Sequence, residues 1–524
     1  MRRRLRTTIG VAGLTVLTTT ASMTMTMTGT SAMVSATAAK PLPSVSGPGA
    51  VLGGGCLNPD IPLSVEERRL TATLPRNDDP AVLQSTSFAR QMIDGAGFRD
   101  FGPAFAGSLC AARSTAQLQK LVEREGARLW DAAVDRAQGQ HVTGDLPASD
   151  DRPLYWVRLQ ATAALRQMLP QETVSDSDRS ALITLFDTSS RGMRDIDFPA
   201  GKGMKRLLMS GFDPYTLDGG PAGTAVGAAG NNIRHGNPSG ASVLALDGTR
   251  HQTPDGTVVD MEAYNLPVNY TEFAAGYLED TVGPWMRPGP RQVDASLTMS
   301  QAGGSQFNLE EFNGRYHGVS PGNDLSQPCP RIGGVPQIAL AQPGCNTSVV
   351  DRWGGPTEFD LLDPPQWTVA SLPIAEMIRA NTGAGVPRPP GDTWPDQSVA
   401  FGVVWNTAFT QFSDCASPAL TRLNGTVDTQ YPPAVPPRAP DPQSCSFSGG
   451  GGNYLSNESA YRNTLLRDRM GLDIPAGHIH TPDMQNFNEG NLYDPSDPTF
   501  DAWREAIVAQ GLNLVEAVAD STDD

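Results

Sequence analysis

The sequence is short of positive charge. Its 524 residues carry 39 Lys and Arg against 56 Asp and Glu, a formal net charge of −17 with His neutral. Nucleic acid and anionic membranes both require a cationic face, so neither is expected as a partner. Long apolar runs are also missing. The first such stretch, Ile9 to Leu17, is about half of the ~20 residues a membrane span needs, and no later stretch is long enough. Cysteine is scarce, and the six present (Cys56, Cys110, Cys329, Cys345, Cys415 and Cys445) have no metal-ligand spacing. No metal is therefore expected.

What is present at the start reads as an export signal. Arg2, Arg3, Arg4 and Arg6 precede the apolar run, and Ala36-Thr37-Ala38 follows as a small-x-small cleavage pattern, so residues 1–39 are expected to be a signal of the Sec or twin-arginine kind. The predicted location of the mature protein is secreted or extracellular. An even cysteine set suits an oxidising compartment. Sequence neighbours suggest the pairs Cys56–Cys110, Cys329–Cys345 and Cys415–Cys445, among the 15 pairings that six cysteines allow.

The length calls for at least two domains. Residues 40–200 read as a Pro/Gly/Ser leader, disordered at first, followed by a helical domain. Ser114-x-x-Gln117 has the form of a capping box, and Leu118, Leu121, Val122, Leu129, Ala133 and Val134 follow at helical spacing. Further helices are expected from Leu154 to Leu169, ended by Pro170, and from Asp176 to Phe186. From residue 201 the grammar changes. Arg206 to Ser210, Thr257 to Asn265 and Gln292 to Ser300 read as strands, Gly240 to Leu246 and Tyr270 to Val282 as helices, and Phe500 to Ala519 as an amphipathic closing helix.

Within this α/β part, Gly449-Gly450-Gly451-Gly452 leads into Asn453-Tyr454-Leu455-Ser456-Asn457, and His480 stands 24 residues beyond Ser456. Glycines allow a close backbone approach, and a Ser at a helix start is a candidate nucleophile if a His reaches it. Taken alone, the stretch reads more readily as a flexible linker with Ser456 as a cap. His478 is expected on the opposite side of its strand from His480.

Gly-Phe-Asp-Pro-Tyr (211–215), Asn-Pro-Ser (237–239), Gln-Ala-Gly-Gly (301–304), Ser-Leu-Pro-Ile (371–374), Gly-Asn-Tyr-Leu-Ser-Asn (452–457) and Gly-His-Ile-His-Thr-Pro (477–482) occur in an order that resembles the pyroglutamyl peptidase I family. The resemblance covers about residues 203–524, with insertions near 217–233, 325–366 and 381–445. It implies a three-layer α/β sandwich with a twisted mixed sheet of the phosphorylase/hydrolase kind over residues 201–524. It also implies removal of an N-terminal pyroglutamyl lactam from peptides or small amides, with no cofactor. The family's nucleophilic Cys falls on Ser456 and its His on His480. Its Glu, seven residues after the last Gly of the Gln-Ala-Gly-Gly turn, falls on Glu311, and its second acid, thirteen residues on, falls on Asp324. Phe212, Tyr215, Asn237, Gln301, Tyr454 and Leu455 fall on substrate-binding positions.

Two departures bear on activity. Ser replaces the nucleophilic Cys, and Pro321 stands where the family has an Arg thought to help at the oxyanion. A hydroxyl must lose its proton during attack to a well-oriented base, which demands closer geometry than a thiolate does. A reactive thiol outside the cell is prone to oxidation, so Ser456 also fits the expected compartment. The alternatives are a catalytically inactive binding protein and a serine amidase or esterase of other specificity.

Overall fold

Alternation on one strand sets the architecture. Along β1 (Met204–Phe212), Leu207 and Met209 enter one apolar cluster, while Leu208 and Phe212 enter another. Side chains two apart share a face, so a strand that is apolar on both sides must be covered on both. The computed structural model describes residues 55–523 apart from 170–173, 200–202, 220–230, 317, 319, 333–334, 341–351, 354–358, 360, 363, 416–418, 425–430 and 434.

Six further strands join β1: β2 (Thr249–Gln252), β3 (Val258–Leu266), β4 (Ala295–Gln301), β5 (Gln306–Glu310), β6 (Gly402–Asn406) and β7 (Ala476–Thr481). Their order in the sheet is β6-β5-β7-β4-β1-β3-β2. The β3-β1-β4-β7 block is parallel, β7 and β5 are antiparallel, β5 and β6 are parallel, and β2 closes the far edge antiparallel to β3. This is a mixed α/β sheet of the expected class. The expected strands lie within three residues of the observed bounds, and the closing helix spans Pro498–Asp520.

The N-terminal region is helical, with α1 (Phe88–Gly95), α2 (Phe101–Ala111), α3 (Thr115–Ala137), α4 (Arg152–Gln167) and α5 (Asp176–Ser189). Ser114 caps α3 by accepting from Gln117 N, but the Gln117 side chain accepts from Arg113 N rather than from the Ser114 amide. The reciprocal box occurs instead on α5, between Ser175 and Asp178. Six more helices follow: α6 (Pro238–Leu246), α7 (Tyr270–Ala274), α8 (Tyr277–Met286), α9 (Ile374–Arg379), α10 (Leu455–Met470) and α11 (Pro498–Asp520). The single helix expected over 270–282 is two, divided at Gly276.

One apolar cluster joins Trp130, Trp156 and Phe186 of the N-terminal helices to Val243, Leu207, Ile479 and Leu514 on one face of the sheet. The other lies between the opposite face and helices α8 and α10, through Leu208, Tyr264, Leu278, Val282 and Leu466. Cys56 is bonded to Cys110 and Cys415 to Cys445, as two of the three suggested pairs required. The third, Cys329–Cys345, lies outside the described residues.

Buried charge ties the helical region to the end of β1. Asp213 accepts from Arg158 Nη1 at 2.8 and 2.9 Å and from Arg191 Nη1 at 2.6 Å. Burial alone would raise the Asp213 carboxyl, but the two guanidiniums outweigh it and hold it below the usual carboxylate range. Its contribution to stability is thus present at neutral pH and is lost only as acid titrates it through that lowered value. Asp213→Asn is expected to cost about 3 kcal/mol at pH 7, because the buried Arg158 keeps only Asp187, 4.0 Å away, as a counter-charge. Urea unfolding checks this, and the gap from wild type should shrink at strongly acidic pH.

Candidate active site

Parity along two neighbouring strands gathers the polar residues. On β5, Phe307 and Leu309 are buried in the first apolar cluster, so Asn308 and Glu310 project to the other face. On β7, Ile479 joins the same cluster, which sends both His478 and His480 to the face that bears Asn308 and Glu310. The antiparallel register sets His478 opposite Glu310 and His480 opposite Asn308. From its diagonal position Glu310 Oε1 reaches His480 Nδ1 at 2.7 Å, and its Oε2 accepts from Asn406 Nδ2 at 2.7 Å.

This corrects two expectations about the acid. Glu311 lies past the end of β5 with opposite parity, and its Oε2 accepts from Trp405 Nε1 at 2.9 Å. Burial raises its pKa, but it does not touch His480. Asp324 is held by Ser326, through N at 2.8 Å and Oγ at 2.5 Å, and by Thr271 Oγ1 at 3.2 Å. It lines a different cavity. The expected position of His478 is also corrected, since residues two apart on a strand share a face: the two imidazoles meet edge to face, 4.6 Å between centroids. His478 is fully buried between Thr298 Oγ1 at 2.7 Å and Ser300 Oγ at 2.8 Å. Burial, then the neighbouring His480, drives its pKa well below the ordinary value, so it is a neutral support.

The glycine run folds back on itself through Gly449 N to Gly452 O at 2.9 Å and Gly452 N to Gly449 O at 3.1 Å, with Gly452 at φ +80°. A Cβ on Gly450 would stand 1.9 Å from Glu310 Oε2, so only glycine allows the chain to pass over that carboxylate. The run is therefore a tight turn and not a flexible linker. It delivers Ser456 to the second position of α10. The first bond of the helical ladder is Glu458 N to Tyr454 O, and no side chain caps the helix from Tyr454. The amides of Leu455, Ser456 and Asn457 thus precede the ladder at the positive end of the helix dipole. Asn457 fixes this end by a two-way bond to the backbone of Gly314, Oδ1 accepting at 2.9 Å and Nδ2 donating at 2.6 Å.

Ser456 and His480 open onto one cavity of about 350 Å³, together with Phe212, Tyr215, Asn237, Gln301, Tyr454 and Leu455. The structure thus brings all six expected binding positions to one place. They differ in what they can offer. Asn237 Nδ2 donates to Asp213 O at 3.0 Å and Oδ1 accepts from Ser239 N and Oγ, so this side chain braces the wall. Gln301 Nε2 donates to Tyr215 Oη at 2.9 Å. Burial, then the nearby Asp483, raises the Tyr215 phenol to about 12, and it stays protonated. Tyr454 Oη donates to Pro321 O at 2.9 Å, so the Pro321 segment meets the site through a backbone carbonyl. Sequence reasoning missed Glu310, Asn406 and Asn308. The alternation of Phe307, Leu309 and Ile479 was the signal that would have found Glu310 and Asn308.

With Nδ1 held by a carboxylate, His480 has Nε2 left for proton transfer into the cavity. A hydroxyl, a base, an orienting acid and unpaired amides together suit acyl transfer. Among the described residues no group of His, Cys, Asp or Glu could hold a metal ion.

Residues 206–485 match the family described as PA0049, C-terminal domain, and residues 48–187 match the PA0049 N-terminal domain. The uncharacterized protein PA0049 of Pseudomonas aeruginosa is 43% identical over 510 residues, which cover 88% of this chain and 90% of that protein. The chain belongs to the PA0049 family. Solved structures similar to this family member include a point mutant of pyrrolidone carboxyl peptidase from Pyrococcus furiosus, 16% identical, with a TM-score of 0.31 over 60% of this chain and 99% of that one. The structures of that peptidase and its Cys-free mutant give 15% identity and a TM-score of 0.30, over 60% and 99%.

Gly450→Ala is expected to push Glu310 away from His480 at a cost of about 1–3 kcal/mol, the range for overpacking. The fold should persist, with the His480 Nδ1 proton signal in NMR spectra lost or strongly shifted. An unchanged signal would contradict the close approach.

Proposed function

We propose that this protein is an exported serine hydrolase that removes an N-terminal pyroglutamyl group from peptides or small amides. One observation carries the reading: His480, held from behind by the buried Glu310, and Ser456, at the start of α10, face the same small, mostly apolar cavity. The ordered sequence motifs supply the choice of a lactam as the acyl group. Ser456 Oγ attacks the acyl carbon while its proton passes to His480 Nε2, and Glu310 stabilises the imidazolium that results. The oxyanion is met by amides of the first turn of α10, which take the place of the missing Arg. His480 then returns the proton to the leaving amine, and the acyl–Ser456 ester is hydrolysed by a water activated at the same nitrogen. Phe212, Tyr215, Tyr454 and Leu455 would clasp the ring.

Export is supported by the arginine-led apolar start of the sequence and by the two described disulfides. Among the described residues, no helix is long and apolar enough to cross a membrane.

Release of a chromogenic amine from a pyroglutamyl amide by the mature protein tests the reading. Ser456→Ala is expected to lower kcat by roughly 10⁴-fold or more, and Glu310→Gln by about 10²–10⁴-fold with a smaller change in KM. A silent native protein with an active Ser456→Cys variant would replace this reading with that of an inactive binding protein. Silence in both, with a hydroxyl-reactive probe still labelling Ser456, would favour another amide or ester.

A further inference from the structure

A second cavity, of about 250 Å³, lies where α4 and α5 meet the segment before α7 and the loop that carries Asp324. Its charges do not balance locally. Each arginine in its wall already has a carboxylate partner: Arg158 bonds Asp213, Arg191 bonds Asp187 and Asp213, and Arg166 bonds Glu67 at 2.6 Å. Three further wall carboxylates, Glu66, Glu272 and Asp324, form no ion pair among the described residues. Glu66 is held by neutral donors, Tyr155 Oη at 2.8 Å and Asn269 Nδ2 at 2.9 Å, and Asp324 by Ser326 and Thr271. Glu272 Oε2 is buried and has no hydrogen-bond partner among the described residues. A buried carboxylate oxygen left in this state is costly unless a ligand completes it.

We propose that this cavity binds a small organic cation, an alkyl ammonium or alkyl guanidinium group, between Glu272, Glu66 and Asp324. The carboxylates do not converge tightly enough for a metal ion, as no cluster among the described residues could hold one. A larger cation spans such a gap. Leu159 and Ile183 in the wall suit its alkyl part, and Tyr155 and Tyr277 line the same cavity. The site is separate from the cavity of Ser456 and does not depend on the peptidase reading. It is nevertheless joined to it by chain: Asn269, on Glu66 and Asp324, follows Val268 of the first cavity.

Burial, then Asp324, raises Glu272 to about 8, with Asp187 and Glu66 adding to the rise and Arg191 opposing it. Burial, then Asp324, likewise raises Glu66 to about 7, against Arg69. A bound cation favours the ionised carboxylates, so binding releases protons near pH 7 and tightens as pH rises toward 9.

Isothermal titration of the full mature protein with n-butylammonium chloride tests the proposal, with sodium chloride and n-butanol as controls. The expected result is saturable one-to-one binding with proton release at pH 7, weakened about tenfold or more by Glu272→Gln. If that variant does not fold, Asp324→Asn, which keeps the acceptor for Ser326, is expected to weaken binding in the same direction. Equal binding of N-acetyl-lysine amide would assign the cation to a peptide side chain, and binding of butylammonium alone to a free amine. No binding above the controls, or equal binding by wild type and both variants, would overturn it.

Discussion

The bond between Glu310 and His480 is the constraint on which the site depends. It forms across β5 and β7, the antiparallel pair inside an otherwise mostly parallel block, and that pairing sets a carboxylate diagonal to an imidazole on one face. Everything near it follows. Asn406 must turn its amide to the second carboxylate oxygen, and the backbone that crosses above must be glycine. That crossing backbone is the turn that starts α10, so the same carboxylate that orients His480 also fixes where Ser456 begins its helix.

The N-terminal helices support the far wall of the cavity through buried polar contacts. Arg158 and Arg191 hold Asp213, between the cavity residues Phe212 and Tyr215 in sequence, and Asp151 accepts from Asn237 N at 2.9 Å. Arg69 donates to Asn323 O at 2.7 Å, beside Asp324. Such contacts contribute less net stability than their number suggests, because each charge lost its water on burial. What they supply is position: the loop that carries the aromatic residues cannot shift without exposing unpaired charge. Sequence patterns identified these helices by their apolar spacing, which says nothing about the polar partners at their ends.

The strands and the closing helix were legible because a short apolar run and helical spacing are local signals, as in Arg206 to Ser210 and Phe500 to Ala519. The cavity residues were legible through the order of short motifs. The orienting acid was not, because counting from the Gln-Ala-Gly-Gly turn selects Glu311 whereas strand parity selects Glu310, and only the facing register decides between them. Asn406 lay within a stretch read as an insertion, and nothing local marks a residue whose partner is nearly a hundred positions away. The carboxylates of the second cavity come from distant segments, and their lack of ion pairs among the described residues is a property of the folded arrangement alone.

The most direct test of the central claim is the mass of the protein after rapid mixing with a pyroglutamyl p-nitrophenyl ester, followed by peptide mapping. The account predicts an acyl adduct on Ser456 that accumulates in native protein and is absent from His480→Gln. An adduct on another residue, or none while p-nitrophenol is released at the same rate by both proteins, would contradict it.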